Sequence, residues 1–240
     1  MMGNKETVAI AWCHAGEVDA MFAHSILDLV RLYPNRIQSC ESVLGLGLLS
    51  KSRNILVKNF LDNSKNDWLF MVDADEYITP DAFNKLVNLA DRRTAPAISG
   101  LYFAANFSED QELQPVPLIF VNDPELGIQP YFDYPHNKVV EIYAAGTGCL
   151  MIHRSVLERL RELGEEAYGR DWAWFMDGPI GGNKWLSEDL VFCDRINQAG
   201  FKMFAHTGAV LPHHKSIWLV EKNYKDWVSK NSTDDIKPMQ

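Results

Sequence analysis

The chain has 240 residues, enough for one large domain with a substantial hydrophobic core. Apolar residues make up 47% and charged residues 23%, which are globular values and argue against disordered, collagen-like and coiled-coil proteins. The formal net charge is −9, so broad, sequence-independent binding to nucleic acid phosphates is not expected.

The cysteines and the hydropathy pattern point to a reducing compartment. Cys13, Cys40, Cys149 and Cys193 form no CxxC pair, so neither a zinc ribbon nor a disulfide framework is predicted. The N-terminus does not have the pattern of a signal peptide, and no stretch approaches the roughly 18 apolar residues of a membrane span. We therefore expect a cytoplasmic protein without a transmembrane segment.

The first half of the chain alternates between predicted strands and predicted helices. Residues 7–12 and 67–73 are continuous apolar runs, which are typical of strands buried on both faces. Apolar side chains recur at helical spacing over 17–32, and residues 50–62 also have a helical pattern. Thr79-Pro80-Asp81 supplies the capping hydroxyl, proline and acid of another helix start.

The second half is more mixed. Strands are predicted at 97–104, 116–121 and 138–145, and helices at 154–163, ended by Gly164, and at 187–199, ended by Gly200. Residues 165–184 break the pattern, and their aromatic content favours an ordered functional loop over disorder. Together these elements predict an α/β sandwich around a mostly parallel sheet.

The sequence Asp73-Ala74-Asp75-Glu76 directly follows the second buried strand. Ligands of open α/β sheets bind at the carboxyl ends of strands, and paired carboxylates suit a hard cation shared with substrate phosphates. The alternative is a polar strand-to-helix turn, since Asp is common in turns. On the local pattern alone both interpretations stay open.

Two other carboxylate motifs fail at specific positions. An EF-hand loop that starts at Asp73 needs glycine and glutamate where the chain has Ile78 and Asn84. The haloacid-dehalogenase phosphatase signature needs threonine or valine where the chain has Tyr77. Calcium binding of the EF-hand type and that phosphatase chemistry are therefore not expected.

Acids and histidines near the end of the chain are the other candidates. Ser187 is a predicted N-cap, so Glu188 and Asp189 fall in the first helical turn, where acids either complement the helix dipole or serve as a general base. Side chains at His213 and His214 point in different directions, so at most one of them is expected to ligate a given metal.

Taken in order, these motifs resemble the GT-A-fold glycosyltransferases, and specifically the family 2-like enzymes. The resemblance spans roughly residues 7–214. The matching stretches are SRNILVKNFL (52–61), DWLFMVDADEYITPDAF (67–83), GTGCLMIHRSVLERL (146–160) and SEDLVFCDRINQAGFKMFAHTGAVLPHH (187–214). The resemblance implies a Rossmann-like sandwich around a mostly parallel mixed sheet. It also implies that residues 1–215 form a single catalytic domain and that residues 216–240 form a C-terminal helix and tail.

The resemblance implies a nucleotide-diphosphate sugar as donor, most commonly linked to UDP. Trp12, Cys13 and His14 would lie near the nucleobase, and Arg53 near the base or the diphosphate. Asp73 would contact the ribose or the metal.

The resemblance also implies Mn²⁺ or Mg²⁺ as cofactor, with Asp73, Asp75 and His213 as its candidate ligands. Asp189 would be the catalytic base, and Glu188 its supporting acid. Sugar would pass to an acceptor hydroxyl with inversion, while the loop 165–184 covers the donor and offers aromatic faces to the acceptor.

Several alternatives stay open at this stage. Retention of configuration, nucleotidyl transfer at the same carboxylate edge, and non-catalytic binding of a nucleotide or glycan all use similar residues. The acceptor is a glycan, a protein, a lipid or a modified nucleobase. The apolar residues over 216–229 have helical spacing, and this favours a helix that docks on the core or on a second copy of the chain. A homo-oligomer through the C-terminal helix is therefore a candidate.

Overall fold

The computed structural model describes residues 6–45, 47–107, 113–180 and 184–216, together with Glu221, Lys225 and Ser229. The helices between residues 6 and 216 are α1 (Ala20–Leu32), α2 (Leu49–Asn63), α3 (Pro80–Leu89), α4 (Arg154–Tyr168) and α5 (Glu188–Gln198). Its strands are β1 (Val8–His14), β2 (Ile37–Leu44), β3 (Trp68–Val72), β4 (Ala97–Leu101), β5 (Phe103–Phe107), β6 (Leu113–Pro117), β7 (Ile119–Asp123), β8 (Gly127–Pro130), β9 (Val139–Ile142), β10 (Ala144–Ala145), β11 (Cys149–His153), β12 (Gly178–Ile180), β13 (Lys184–Leu186) and β14 (Met203–Val210).

Seven strands form the central sheet, in the order β2-β1-β3-β11-β4-β14-β9. The pairs of β1 with β2, β1 with β3 and β4 with β14 are parallel, whereas β11 and β9 run antiparallel to their neighbours. Short two- and three-stranded sheets flank it. The predicted α/β sandwich around a mostly parallel mixed sheet is confirmed.

The apolar strands hold helices against both faces of the sheet. Along β1, Val8 and Ile10 pack with α1 and α3 on one face, while Ala9 and Ala11 pack with α2, α4 and α5 on the other. All five residues of β3 are buried, and their side chains alternate between the same two faces. Because both faces are covered, β1 and β3 read as continuous apolar runs, which is why the sequence revealed them.

Two predicted helix starts and one helix end are confirmed. Thr79 is the N-cap of α3, and its hydroxyl accepts a hydrogen bond from the backbone N–H of Ala82 at 3.0 Å. Ser187 is the N-cap of α5, although its side chain makes no capping hydrogen bond. Gly200 follows α5 with a φ of 86°, a left-handed conformation that favours glycine.

The predicted end of the fourth helix at Gly164 is wrong. α4 continues to Tyr168 and ends at Gly169, which has the left-handed φ of 62°. Gly164 is buried inside the helix, where a Cβ atom would lie 3.3 Å from the carbonyl oxygen of Arg170. The glycine therefore lets the following loop pack close to the helix instead of ending it.

The region 165–184 is thus less irregular than predicted. Its first residues belong to α4, and its last described ones belong to the β12–β13 hairpin, so the irregular part shortens to 170–177. Residues 181–183 of this predicted loop lie outside the described residues.

The three later strand predictions each correspond to two strands. The first breaks at Tyr102 into β4 and β5, and the others correspond to β6 with β7 and to β9 with β10. Of the predicted C-terminal helix and tail, Ser216 and the helical residues Glu221, Lys225 and Ser229 are described, and the rest lies outside the described residues. No helix in the described ranges is long and apolar enough to cross a bilayer.

Candidate active site

The carboxyl ends of β1 and β3 form a groove of about 560 Å³. The two strands pair in parallel from Val8–Trp68 to Ala11–Met71, so the residues that follow each strand lie at the same edge of the sheet. The groove is lined mainly by polar side chains, including those of Cys13, His14, Asp73, Asp75, His214 and Lys215. Ligands of open α/β sheets bind at this edge, the carboxyl ends of the strands.

The predicted donor-binding residues divide into two groups. Cys13 and His14 line the groove, and burial raises the pKa of the Cys13 thiol to about 11, which keeps it neutral. Trp12 is half-buried and packs edge-on against Phe22 of α1, with 5.3 Å between ring centroids, and is not among the residues that line the groove. Arg53 is also outside the lining and lies buried beneath it.

A short chain segment, 212–215, is fastened to the turn that follows β3. The N–H of Tyr77 donates to the carbonyl of Pro212 at 2.9 Å, and the N–H of His214 donates to the carbonyl of Asp75 at 2.8 Å. Between them, Glu76 and His213 form an isolated antiparallel bridge. This pairing brings the late histidine to the carboxylates across more than 130 residues of sequence.

Each carboxylate oxygen of Asp75 faces a nitrogen atom of another side chain. His213 Nε2 lies 3.2 Å from Oδ1, and Lys215 Nζ donates to Oδ2 at 2.7 Å. Burial by itself would raise the pKa of Asp75, but hydrogen bonds from His213 and Lys215 outweigh it and lower the pKa to about 2. Asp75 is therefore ionised throughout the physiological range.

His213 is oriented by the backbone. Its Nδ1 lies 2.9 Å from the carbonyl oxygen of Phe103, which can only accept, so Nδ1 carries a proton. Protonated His213 donates from Nε2 to Asp75, and when the ring is neutral the proton stays on Nδ1, so that the Nε2 lone pair is available to ligate a metal beside Asp75. His214 instead directs its Nδ1 at Asp19 Oδ2, 2.7 Å away.

A divalent cation fits Asp75 and His213, provided that a ligand completes its coordination. A carboxylate and an imidazole 3.2 Å apart are suitable neighbouring ligands for Mn²⁺, and Mg²⁺-type sites commonly add substrate phosphates to one or two carboxylates. Within the described ranges, no three His, Cys, Asp or Glu side chains are grouped so as to hold a metal ion on their own. Asp73 lies beside Arg53, so its role as a metal ligand stays a prediction.

Glu76, the third acid of the motif, differs from Asp75 in its burial and in its hydrogen bonding. Glu76 is 1% exposed, and neither carboxyl oxygen has a hydrogen-bond partner among the described residues. Burial, reinforced by the charges of Asp73 and Asp75, raises the pKa of Glu76 well above its ordinary value. Burial therefore favours the neutral form of Glu76, in contrast to Asp75, whose pKa is lowered.

One buried guanidinium joins the groove to the acids of α5. Arg53 Nη1 donates to Glu188 Oε1 at 2.6 Å and to Asp189 Oδ1, and Nη2 lies 3.4 Å from Asp73 Oδ1. Burial would lower the pKa of Arg53, but the charges of Asp189, Asp73 and Glu188 outweigh it and raise the pKa above its ordinary value. The arginine thus stays charged in spite of its burial.

Glu188 and Asp189 both belong to this network. The described hydrogen bonds of Asp189 fall on Oδ1, which accepts from Arg53 and from the hydroxyl of Thr147 at 2.6 Å. Burial, followed by the charge of Asp189, raises the pKa of Glu188. Since both side chains make specific tertiary contacts, complementing the helix dipole is not their only role.

Thr147 lies in the matching stretch 146–160, but the sequence assigned it no role. A Cβ atom at Gly146 would lie 2.1 Å from the hydroxyl of Tyr102, and one at Gly148 would lie 2.5 Å from Asp73 Oδ2. The Tyr102 hydroxyl accepts from the N–H of Gly148 at 2.9 Å. The glycine–threonine–glycine sequence before β11 was the available signal, since two glycines around a hydroxyl permit such close approach.

The loop after α4 is attached to α2 immediately beside Arg53. Asn54 Oδ1 accepts from the N–H groups of Trp174 and Phe175, both at 2.9 Å, and Nδ2 donates to the carbonyl of Phe175 at 2.8 Å. The ring of Trp172 in this loop is 42% exposed, and that of Trp185 in β13 is 71% exposed. The loop therefore offers aromatic surface while its backbone is held against the core.

Similarity to known proteins agrees with this architecture. Residues 52–161 match the sequence model of glycosyl transferase family 2, a stretch that includes Arg53, Asp73, Asp75 and Thr147. This match and the fold support a glycosyltransferase with a family 2-like region over these residues. No curated protein sequence matches the chain significantly.

Solved structures support the GT-A fold of this glycosyltransferase. A197 from STIV is 14% identical, with 88% of this chain and 86% of that chain covered and a TM-score of 0.51. GalNAc-T7, crystallised with UDP, GalNAc and Mn²⁺, is 13% identical, with 91% of this chain but only 45% of that chain covered and a TM-score of 0.50. At these identities the similarity concerns the fold alone.

Proposed function

We propose that this glycosyltransferase transfers a sugar from a nucleotide-diphosphate sugar, with UDP as the expected nucleotide, to an acceptor hydroxyl with inversion. The observation that carries the proposal is the position of Arg53 between Asp73 at the groove and Asp189 on α5. One guanidinium spans the distance between the candidate donor edge and the candidate base, so a sugar bound at one could meet an acceptor at the other.

Asp75 and His213 are the residues that would hold Mn²⁺ or Mg²⁺, with Asp73 as a further candidate. Bound there, the cation would neutralise charge on the donor's diphosphate. Nε2 of neutral His213 and the ionised carboxylate of Asp75 are both available as donors of electron pairs. Burial favours the neutral form of Glu76, which adds no charge beside them.

Asp189 is the proposed base. Arg53 and Thr147 hold Oδ1, and since no described residue bonds to Oδ2, that oxygen would accept the proton of the acceptor hydroxyl. The acceptor oxygen forms its bond to the anomeric carbon as the bond from that carbon to the phosphate oxygen breaks. The electron pair of the broken bond leaves with the nucleoside diphosphate. Attack from the opposite face inverts the anomeric configuration.

The acceptor would bind on the side of the loop after α4. Trp172 and Trp185 present exposed aromatic faces there, and sugars and other rings pack well on such faces. The loop backbone is fixed by Asn54, next to the arginine that holds the base. The class of acceptor, a homo-oligomer and a cytoplasmic location stay predictions.

The proposal is tested by incubating the chain with a panel of nucleotide sugars, Mn²⁺ and mixed glycan acceptors. We expect release of a nucleoside diphosphate together with a glycoside, and proton NMR of that glycoside should show the inverted anomeric configuration. Release of pyrophosphate would instead indicate nucleotidyl transfer, and a product with the donor's configuration would contradict the inverting mechanism.

A further inference from the structure

We propose that Lys215 contacts the donor: its ammonium pairs with Asp75 before the donor binds and moves to the donor's diphosphate when a divalent cation takes over Asp75. The inference rests on the proposed function and adds a residue to it. The sequence motifs did not single out this lysine, which follows the histidine pair directly.

Lys215 has the position that the proposal requires. Its Nζ donates to Asp75 Oδ2 at 2.7 Å, and its side chain, 42% exposed, lines the same groove as Asp73 and Cys13. His213 faces Oδ1 of the same carboxylate. A divalent cation at Asp75 would therefore meet an ammonium already bound there, and the two positive charges would repel each other at close range.

The charges of the groove favour a positively charged contact to a diphosphate. Four carboxylates line it, those of Glu17, Asp19, Asp73 and Asp75. Among the described lining residues, Lys215 is the permanent cation, since His14 and His214 are charged only when protonated. A diphosphate brings further negative charge, so both a cation at Asp75 and a released ammonium would reduce the repulsion.

The exchange needs no change in the backbone. Hydrogen bonds from Tyr77 to Pro212 and from His214 to Asp75 hold the chain on the N-terminal side of Lys215 against the turn after β3. The four-carbon stem of lysine is flexible, so the ammonium can move by several ångströms while its Cα stays beside the groove. The structure thus provides a tethered cation within reach of both Asp75 and a bound diphosphate.

Lys215→Met removes the charge and keeps most of the stem. Lys202→Met is the matched control. The Lys202 ammonium also pairs with a carboxylate, that of Glu141 at 2.8 Å, but Glu141 lies in β9, the edge strand that three strands separate from β3 and the groove. Two binding measurements on the full chain are compared: Mn²⁺ binding without nucleotide, by electron paramagnetic resonance of the free ion, and UDP binding at saturating Mn²⁺, by calorimetry.

We expect opposite changes in the two measurements. Without nucleotide, Lys215→Met should bind Mn²⁺ several-fold more tightly, because the competing ammonium is gone. At saturating Mn²⁺ it should bind UDP about tenfold more weakly, as expected for one lost charge-assisted hydrogen bond. Lys215→Arg should bind UDP nearly as the wild type does, and Lys202→Met should match the wild type in both measurements.

Two results would overturn the inference while leaving the proposed function intact. One is unchanged UDP affinity in Lys215→Met, and the other is Mn²⁺ affinity that is unchanged or weaker. A wild-type chain that binds neither Mn²⁺ nor UDP would instead overturn the proposed function, and the inference with it.

Discussion

The hydroxyl of Thr147 donates a hydrogen bond to Asp189 Oδ1 at 2.6 Å. Thr147 is 1% exposed and precedes β11, whereas Asp189 lies in the first turn of α5, so the bond fixes one element of the site against another. Together with Arg53 it fixes the carboxylate at one oxygen.

Replacing Thr147 by valine should reduce turnover without weakening the binding of the nucleotide-sugar donor. Valine keeps the shape of threonine but cannot donate, so Asp189 loses one of the two groups that orient it. We expect kcat to fall by roughly tenfold with little change in the KM for the nucleotide sugar. Thr147→Ser, which keeps the hydroxyl, should restore most of kcat. A valine variant that changes KM but not kcat would contradict this role.

Asp189→Asn should abolish most sugar transfer and leave donor binding nearly normal. The amide keeps the shape of the carboxylate but cannot take the acceptor's proton, and loss of a general base costs on the order of 10²–10⁴ in rate. Glu188→Gln is the matched comparison, since Glu188 contacts the same Nη1 of Arg53. A greater loss of kcat in Glu188→Gln would move the base to position 188.

Affinity for Mn²⁺ should fall as the pH is lowered through the pKa of His213. Burial alone would lower that pKa, but the hydrogen bonds to Asp75 and to the carbonyl of Phe103 outweigh it, so the pKa lies above the ordinary value of 6.5. Protonated imidazole cannot ligate, and Asp75 with a pKa of about 2 stays ionised over this range. Metal binding is therefore strong above the His213 pKa and weakens below it.

The measurement is Mn²⁺ affinity for the wild type, His213→Gln and His214→Gln over roughly two pH units on either side of the ordinary histidine pKa of about 6.5. His213→Gln should bind weakly and lose most of the pH dependence. His214→Gln should keep it, because that ring faces Asp19. Equal behaviour of the two variants would contradict the assignment of His213.

Asn54→Ala should destabilise the fold. Its buried amide makes three hydrogen bonds to the backbone of Trp174 and Phe175, and their loss leaves loop groups unpaired in the core. We expect the free energy of unfolding to fall by about 2–4 kcal/mol in urea denaturation. Asn63→Ala, at the exposed end of the same helix, should change it by less than about 0.5 kcal/mol. Similar small changes in both variants would show that the loop is held by other contacts.

The parts of the fold that the sequence predicted are those with local signals. β1 and β3 are apolar throughout because helices cover both faces, and α3 begins with its own cap. β2 is an edge strand that alternates between more and less exposed residues, and it was not predicted. The end of α4 was misjudged at Gly164 because the tertiary contact that requires this glycine has no local signature.

The candidate site was predictable only where a motif was complete. Asp73, Asp75 and His213 were found through the order of the motifs, and the structure brings His213 to Asp75. The partners of Arg53 on α5 are 135 and 136 residues away in sequence, and no local pattern links them. Thr147 lies between two glycines and Lys215 follows two histidines, but the roles of both follow from what they contact in space.

The most direct test of the account is calorimetric titration of the wild-type chain with UDP, in Mn²⁺ and then in excess chelator. We expect UDP to bind at least about tenfold more tightly in Mn²⁺, because the cation would link the diphosphate to Asp75 and His213. Asp75→Asn should abolish that difference. Equal UDP affinity with and without the cation would contradict the account.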